Sequence, residues 1–255
     1  QKEGEDKPEK YNRVTNYSSE PFSGTQETKI ASSTAGKTVH DIVEKILLGD
    51  MSYSRGDRMT REAFLDLKSQ VSGIKRLIDS RKQTVISTEM IVYNDSYGKF
   101  AGKFDILVRE KKSGKYYLYD IKTGTELGLR DYEKGYTDPD SKKVSKSKRD
   151  QHGTQLSMYA YALRGIGMQN NIKVQIENAS VLYIPIRYDK AGHIDRVSGF
   201  AEKKFTLNND IKKLMKGEVS FEIKKAAPTS DPGINNAGSS KATTKSTAPK
   251  GEKIT

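Results

Sequence analysis

Residues 102–124 read GKFDILVREKKSGKYYLYDIKTG, two β-like runs rich in Ile, Leu, Val and Tyr that flank a turn-like EKKSG. Such runs normally keep charge at their ends, yet Asp105 lies inside the first, and Asp120 and Lys122 inside the second. If Ser113 and Gly114 alone form the turn, Asp105 faces Lys122 and stands diagonal to Asp120. A four-residue loop instead puts Asp105 opposite Asp120. Facing residues share a face and side chains alternate, so both registers gather Asp105, Asp120 and Lys122 on one side. A three-residue loop separates them.

The other face then collects Phe104, Ile106, Val108, Tyr117, Tyr119 and Ile121, a core surface. The charged face also carries Leu107, Tyr116 and Leu118, so helices are expected over it too. Two carboxylates and an ammonium under such a cover are unfavourable unless paired or used to hold a cation. Hard divalent ions such as Mg²⁺ and Mn²⁺ prefer carboxylate oxygens. The plainer alternative is a salt-bridged trio on a surface hairpin.

Working outward, residues 85–93 (VISTEMIVY), 101–109 and 115–122 form a three-stranded meander. Before it, Val39, Ile42, Val43, Ile46 and Leu47 recur at helical spacing. A second helix is expected over 58–81, with Phe64, Leu67, Val71, Ile74 and Ile78 on one stripe. After the meander come a charged loop (130–150), a helix over 151–167, a strand over 179–188 and a further strand over 199–207. Pro185 marks the 179–188 strand as an edge or a bulge, and a short helix runs to about 216. This order describes an α/β (α+β) domain: a central mixed sheet of four to five strands flanked by helices on both faces.

The expected domain spans 36–224. Residues 1–35 are polar and without sustained period, an N-terminal arm. Residues 225–255 are rich in Ser, Thr, Pro, Gly and Lys, a composition that buries too little apolar surface to order itself.

The chain has 255 residues and no cysteine, which excludes disulfides, zinc ribbons, thiolate nucleophiles and cysteine-ligated iron–sulfur clusters. No apolar run is long enough to span a membrane and none resembles a signal sequence, so a cytoplasmic protein without membrane contact is expected. Lys and Arg total 45 against 33 Asp and Glu, a formal charge of +12 that suits a polyanionic partner. The basic run 141–149 and Tyr132 and Tyr136 near it offer phosphate contacts and base stacking. His152 and His193 read as incidental.

Gly102-x-x-Asp105 is followed fifteen residues later by Asp120-Ile121-Lys122-Thr123-Gly124, then by Gln155-x-x-x-Tyr159 on a helix. These motifs together resemble the PD-(D/E)XK nuclease superfamily, in its RecB-like branch. His40, in GKTVHDIVEKIL, stands where that branch carries a metal-binding histidine, and Glu89 where its first strand carries an acid. The resemblance spans about 37–165 and implies a restriction-endonuclease-like core. It implies that Asp105, Asp120, His40, Glu89 and the Ile121 carbonyl hold Mg²⁺ or Mn²⁺, and that Lys122 manages the attacking water. Gln155 and Tyr159, one turn apart, then reach the site or the nucleic-acid backbone, with Gln151 as a substitute if the register shifts.

A metal-dependent DNA exonuclease or endonuclease is therefore expected, on single- or double-stranded DNA. A catalytically idle nuclease-fold module in a larger assembly is the alternative. The initial Gln and the polar arms suggest a processed or partial chain, a viral (phage) or virion-associated role, and protein contacts through the arms.

Overall fold

The structure, a computed structural model, describes residues 11–18, 26–135 and 146–222. The chain divides into two units, Gln1–Lys225 and Ala226–Thr255. The tail expected over 225–255, Tyr136 and residues 141–145 of the basic run lie outside the described residues.

Within the described residues of the first unit, the elements are β1 (Asn12–Arg13), α1 (Thr15–Ser18), α2 (Gln26–Leu48), α3 (Arg61–Ser80) and β2 (Gln83–Asn94). There follow β3 (Phe100–Glu110), β4 (Tyr116–Gly124), α4 (Glu126–Arg130) and α5 (Lys148–Gln169). The last are β5 (Ile176–Tyr188), β6 (Ile194–Val197), β7 (Ala201–Thr206) and α6 (Ile211–Lys216). No described helix is long and apolar enough to cross a membrane.

A mixed sheet runs through the centre. β4 lies between β3, antiparallel, and β5, parallel; β2 continues the sheet antiparallel to β3, and β7 antiparallel to β5. Helices cover both faces. One core joins α5 to Phe104, Leu107, Leu118, Val181 and Phe205. The other joins α2 and α3 to Ile106, Val108, Tyr119, Ile121 and Ile184. The mixed α/β architecture expected from the element order is present.

Among the described residues the sheet has seven strands rather than four or five. The two extra strands, β1 and β6, have two and four residues, too short to show an alternating pattern. β1 also corrects the reading of residues 1–35 as an arm. Asn12 and Arg13 pair in parallel with Phe100 and Ala101 of β3, and Val14 is buried in the α5-side core. A polar stretch holds its place here through backbone pairing and one apolar anchor.

Other expectations shift in detail. On α3 the buried stripe is Ala63, Leu67, Val71, Ile74 and Ile78, and Phe64 instead packs beside the Tyr53 ring at 6.0 Å. Thr60 starts that helix by accepting from the Ala63 N–H. α5 starts at Lys148, earlier than the apolar pattern indicates, because Ser147 caps it. Pro185 lies neither at an edge nor in a bulge. β5 pairs with β7 up to Tyr183 and with β6 from Ile186, so proline falls where the neighbour changes and its missing N–H removes no bond from either ladder.

The hairpin loop has four residues, 111–114, closed by Glu110 N–H to Lys115 O at 2.9 Å, with Gly114 at φ +70°. This register would place Asp105 opposite Asp120. Phe104 departs from its expected face: it packs against α5, whereas Ile106 and Val108 pack toward α2 and α3. Its partner Met90 goes with Phe104, while Thr88, the partner of Ile106, bonds Glu44 of α2. Both strands therefore exchange faces at Asp105 and Glu89. Glu89 permits this by adopting φ +51°, a conformation that costs energy outside glycine.

At the far end of the sheet a polar network closes the second core. Arg81 donates to both Glu202 oxygens at 2.6 Å and to Tyr119 Oη at 2.7 Å; Ser180 Oγ donates to Glu202 at 2.6 Å. Burial alone would raise the Glu202 carboxyl, but the bonds from Arg81 and Ser180 hold it below the usual range.

Two outcomes are expected. Arg81→Met strands the half-buried Glu202 charge and lowers unfolding free energy by about 3 kcal/mol in urea titrations at neutral pH. A depressed carboxyl stabilises above its unfolded value, about 4.3, and that contribution fades as pH falls through the folded value. The gap between wild type and Arg81→Met therefore narrows in acid. Gly102→Ala places a methyl group 2.5 Å from Tyr159 Cε1 and 3.0 Å from Val14 Cγ2, and lowers stability by about 1–3 kcal/mol.

Candidate active site

The β3–β4 ladder ends at the pair of Ile106 and Tyr119. Further along the same edge of β3, β1 takes up Phe100 and Ala101. Residues 102–105 lie in the gap between these two partners, so the Gly-x-x-Asp motif occupies a break in the sheet. There the Asp105 carboxylate takes the role of backbone, and its Oδ2 accepts from Ile121 N–H at 2.5 Å.

The other Asp105 oxygen lies 3.3 Å from His40 Nδ1. His40 projects from α2 beside Val39, Ile42 and Val43, whose burial holds the helix against the sheet. Glu89 comes from β2, 3.6 Å from His40 Nδ1, and its second oxygen pairs with the Lys103 ammonium. Ligand atoms of His40, Glu89 and Asp105 all fall within 4.8 Å of one another. They line a cleft of about 510 Å³ with Lys37, Asp41 and Glu44.

Asp120 is 1% exposed. Lys122 Nζ stands 2.7 Å from its Oδ2, yet that oxygen accepts no well-aligned hydrogen bond. The contact is thus a charge pair that leaves the carboxylate with unused acceptor capacity. Burial and the neighbouring Asp105 charge push the Asp120 carboxyl up to about 6 against the pull of Lys122. Asp105 goes the other way: burial would raise it, but His40 and Lys122 hold it low. Burial alone would lower Lys122, but the two carboxylates keep it firmly protonated. For His40 the hydrogen bond and charge of Asp105 outweigh burial and raise the imidazole above its ordinary value.

Gln155 and Tyr159 lie beside this cluster on α5. Gln155 Nε2 donates to Tyr159 Oη at 2.7 Å, and both line a second cleft of about 560 Å³ that shares Lys103 with the first. Gly102 has no side chain because the Tyr159 ring lies against it. Burial raises the Tyr159 phenol, which therefore stays a neutral donor.

The structure thus places the sequence-predicted residues in three adjoining groups: His40 with Glu89 and Asp105, Asp120 with Lys122, and Gln155 with Tyr159. Asp120 is not a member of the first group, and Ile121 meets Asp105 through its N–H. Gln151 does not substitute for Gln155; its Nε2 donates to Lys146 O at the start of α5.

Two readings are corrected. Tyr132, expected to stack on bases, is buried, with its hydroxyl 2.7 Å from His152 Nδ1. Burial and the nearby Lys122 and Lys148 hold His152 neutral. The described part of the basic run serves α5, since Ser147 caps it and Arg149 pairs with Asp150. Lys103 was missed. Its signal was present, two residues before Asp105 on the same strand.

The residue types suit a divalent cation. Asp120 Oδ2 is buried and under-satisfied, and a histidine and two carboxylates converge next to it. Solved structures similar to the chain include one titled SSO0001 (15% identity, TM-score 0.31, covering 72% of this chain and 85% of that one) and a putative exonuclease from Eubacterium rectale (12% identity, TM-score 0.41, covering 76% and 72%). A search of curated proteins gives no match. The family model of the PD-(D/E)XK nuclease superfamily matches residues 11–225, a span that holds every group described above. By that match this chain belongs to the PD-(D/E)XK nuclease superfamily.

Proposed function

We propose that the chain is a Mg²⁺- or Mn²⁺-dependent deoxyribonuclease of the RecB-like branch that hydrolyses DNA phosphodiester bonds. The observation that carries this reading is the buried, under-satisfied Asp120 carboxylate beside Lys122 and next to the His40, Glu89 and Asp105 cluster. His40, Glu89, Asp105 and Asp120, with the Ile121 carbonyl, would hold the cation. When bound, it supplies Lewis acidity toward water and offsets the charge that develops on the phosphodiester.

The chain's own residues do the rest. Lys122 keeps its proton, so it acts as a donor that orients the attacking water and steadies the oxyanion rather than as a base. Tyr159, neutral and positioned by Gln155, donates toward the phosphate from the second cleft. Lys37 and Lys103 give the rim positive charge to receive the backbone. Water oxygen joins phosphorus and releases a proton to solvent, the phosphorus–oxygen bond on the far side breaks, and the leaving oxygen takes up a proton from solvent.

The second reading is an idle module, favoured by the Lys103 ammonium that already neutralises Glu89. A cytoplasmic setting and protein contacts through the arms belong to either reading as proposals.

Asp120→Ala and Lys122→Ala are each expected to reduce DNA cleavage in Mg²⁺ or Mn²⁺ about 10²–10³-fold; each also leaves a buried charge without its partner and lowers the melting temperature, so cleavage is compared where both variants remain folded. Cleavage that is unchanged in both would overturn the proposal. Titration calorimetry with Mn²⁺ separates the two readings: the nuclease binds the ion with proton release, and Asp105→Ala abolishes the heat. An idle module gives no carboxylate-dependent heat.

A further inference from the structure

Past Glu89 the β2–β3 pair presents two rows of side chains. Val92, Phe100 and Phe104 enter the α5-side core. The alternate residues Ile91, Tyr93, Ala101 and Lys103 point to the opposite face. There Ile91 is 68% exposed and Tyr93 43% exposed. Register aligns them: Tyr93 pairs with Ala101, which pairs with Arg13 of β1, and Ile91 pairs with Lys103 one rank closer to the site. From Ala101 to Asp105 the strand rise covers about 13 Å.

The same face continues toward the site, where Lys103 contacts Glu89 and lines both clefts. Tyr11 meets Tyr93 edge-on, with ring centroids 6.2 Å apart. The result is an exposed file of aromatic, aliphatic and cationic groups that ends at the carboxylate cluster.

We infer that this face is a track for single-stranded DNA, with bases stacked on Tyr93 and resting on Ile91, while Arg13 and Lys103 hold phosphates and lead the strand into the cleft. The inference rests on the nuclease reading and adds the substrate's form to it. Duplex DNA hides its base faces, so binding it calls for cations alone. An exposed ring in line with cations suits unpaired bases on a polyanionic backbone. The continuity of the row with the cleft sets the direction of the path.

The test uses the full chain carrying Lys122→Ala with no divalent ion added, so that the DNA stays intact, and fluorescence anisotropy with a labelled single-stranded DNA and the same sequence annealed as duplex. Single strands are expected to bind more tightly. Tyr93→Ala should weaken single-strand binding about tenfold, and Tyr93→Phe should retain it because the stacking ring is kept. Arg13→Ala should reduce the slope of log affinity against log salt by about 0.7, one phosphate contact on a single strand. Equal binding of duplex with no effect of Tyr93→Ala overturns the track, as does loss in Tyr93→Phe equal to that in Tyr93→Ala. Equal affinity for single-stranded RNA overturns its assignment to DNA. Failure of the nuclease reading shows separately, as a wild-type chain that cuts no DNA while this binding pattern persists.

Discussion

The hydrogen bond from Ile121 N–H to the Asp105 carboxylate replaces a backbone bond where β3 and β4 part. A buried N–H at the end of a ladder needs a partner, and an ionised carboxylate is a strong one. Once Asp105 is committed to β4 through one oxygen, its other oxygen is fixed toward His40. The strand exchange of faces at Asp105 and Glu89 follows at the same point. It lets Asp105 lie between the helix on one face and the Asp120 and Lys122 pair on the other. Moving the end of the ladder by one residue would send Asp105 into one core or the other.

Concentrating charge at this break has an electrostatic consequence. Three carboxylates, one imidazole and two ammonium groups share a small volume, and their pairings are uneven. Asp105 is held ionised, whereas Asp120 is pushed toward protonation and its Oδ2, paired with Lys122, accepts no well-aligned hydrogen bond. A site that separates two neighbouring carboxylates in this way is poised to gain from an added positive charge. The Arg81 and Glu202 network, by contrast, is closed: each oxygen of Glu202 accepts from Arg81, and one also accepts from Ser180. The first arrangement suits chemistry and the second suits stability.

α5 shows how the packing accommodates functional side chains. Nearly every residue from Gly153 to Ala160 is buried, polar ones included, so no apolar stripe stands out against a polar face. Small residues let the helix enter the core, and Phe221 packs where a Gly153 side chain would be. Gln155 and Tyr159 then pair with one another at the wall of the second cleft. Helical spacing made their pairing legible in the sequence. The near-complete burial of their helix was not, because that depends on what surrounds it.

Much of the site was written in local pattern. Alternation placed Asp120 and Lys122 on one side of β4, the motif spacings ordered the elements, and the apolar residues around His40 put it on a helix facing the sheet. These follow from periodicity, which a linear chain carries in full. Tertiary structure decided the rest. The loop length that aligned Asp105 with Asp120, the face switch that misplaced Phe104 in the linear reading, and the short strand β1 all arise from pairing between distant residues. So do the burial of Tyr132 and the approach of Lys103 to Glu89. Alternation determines which residues share a side, but only contact between strands determines where a ladder stops, and this site lies where one stops.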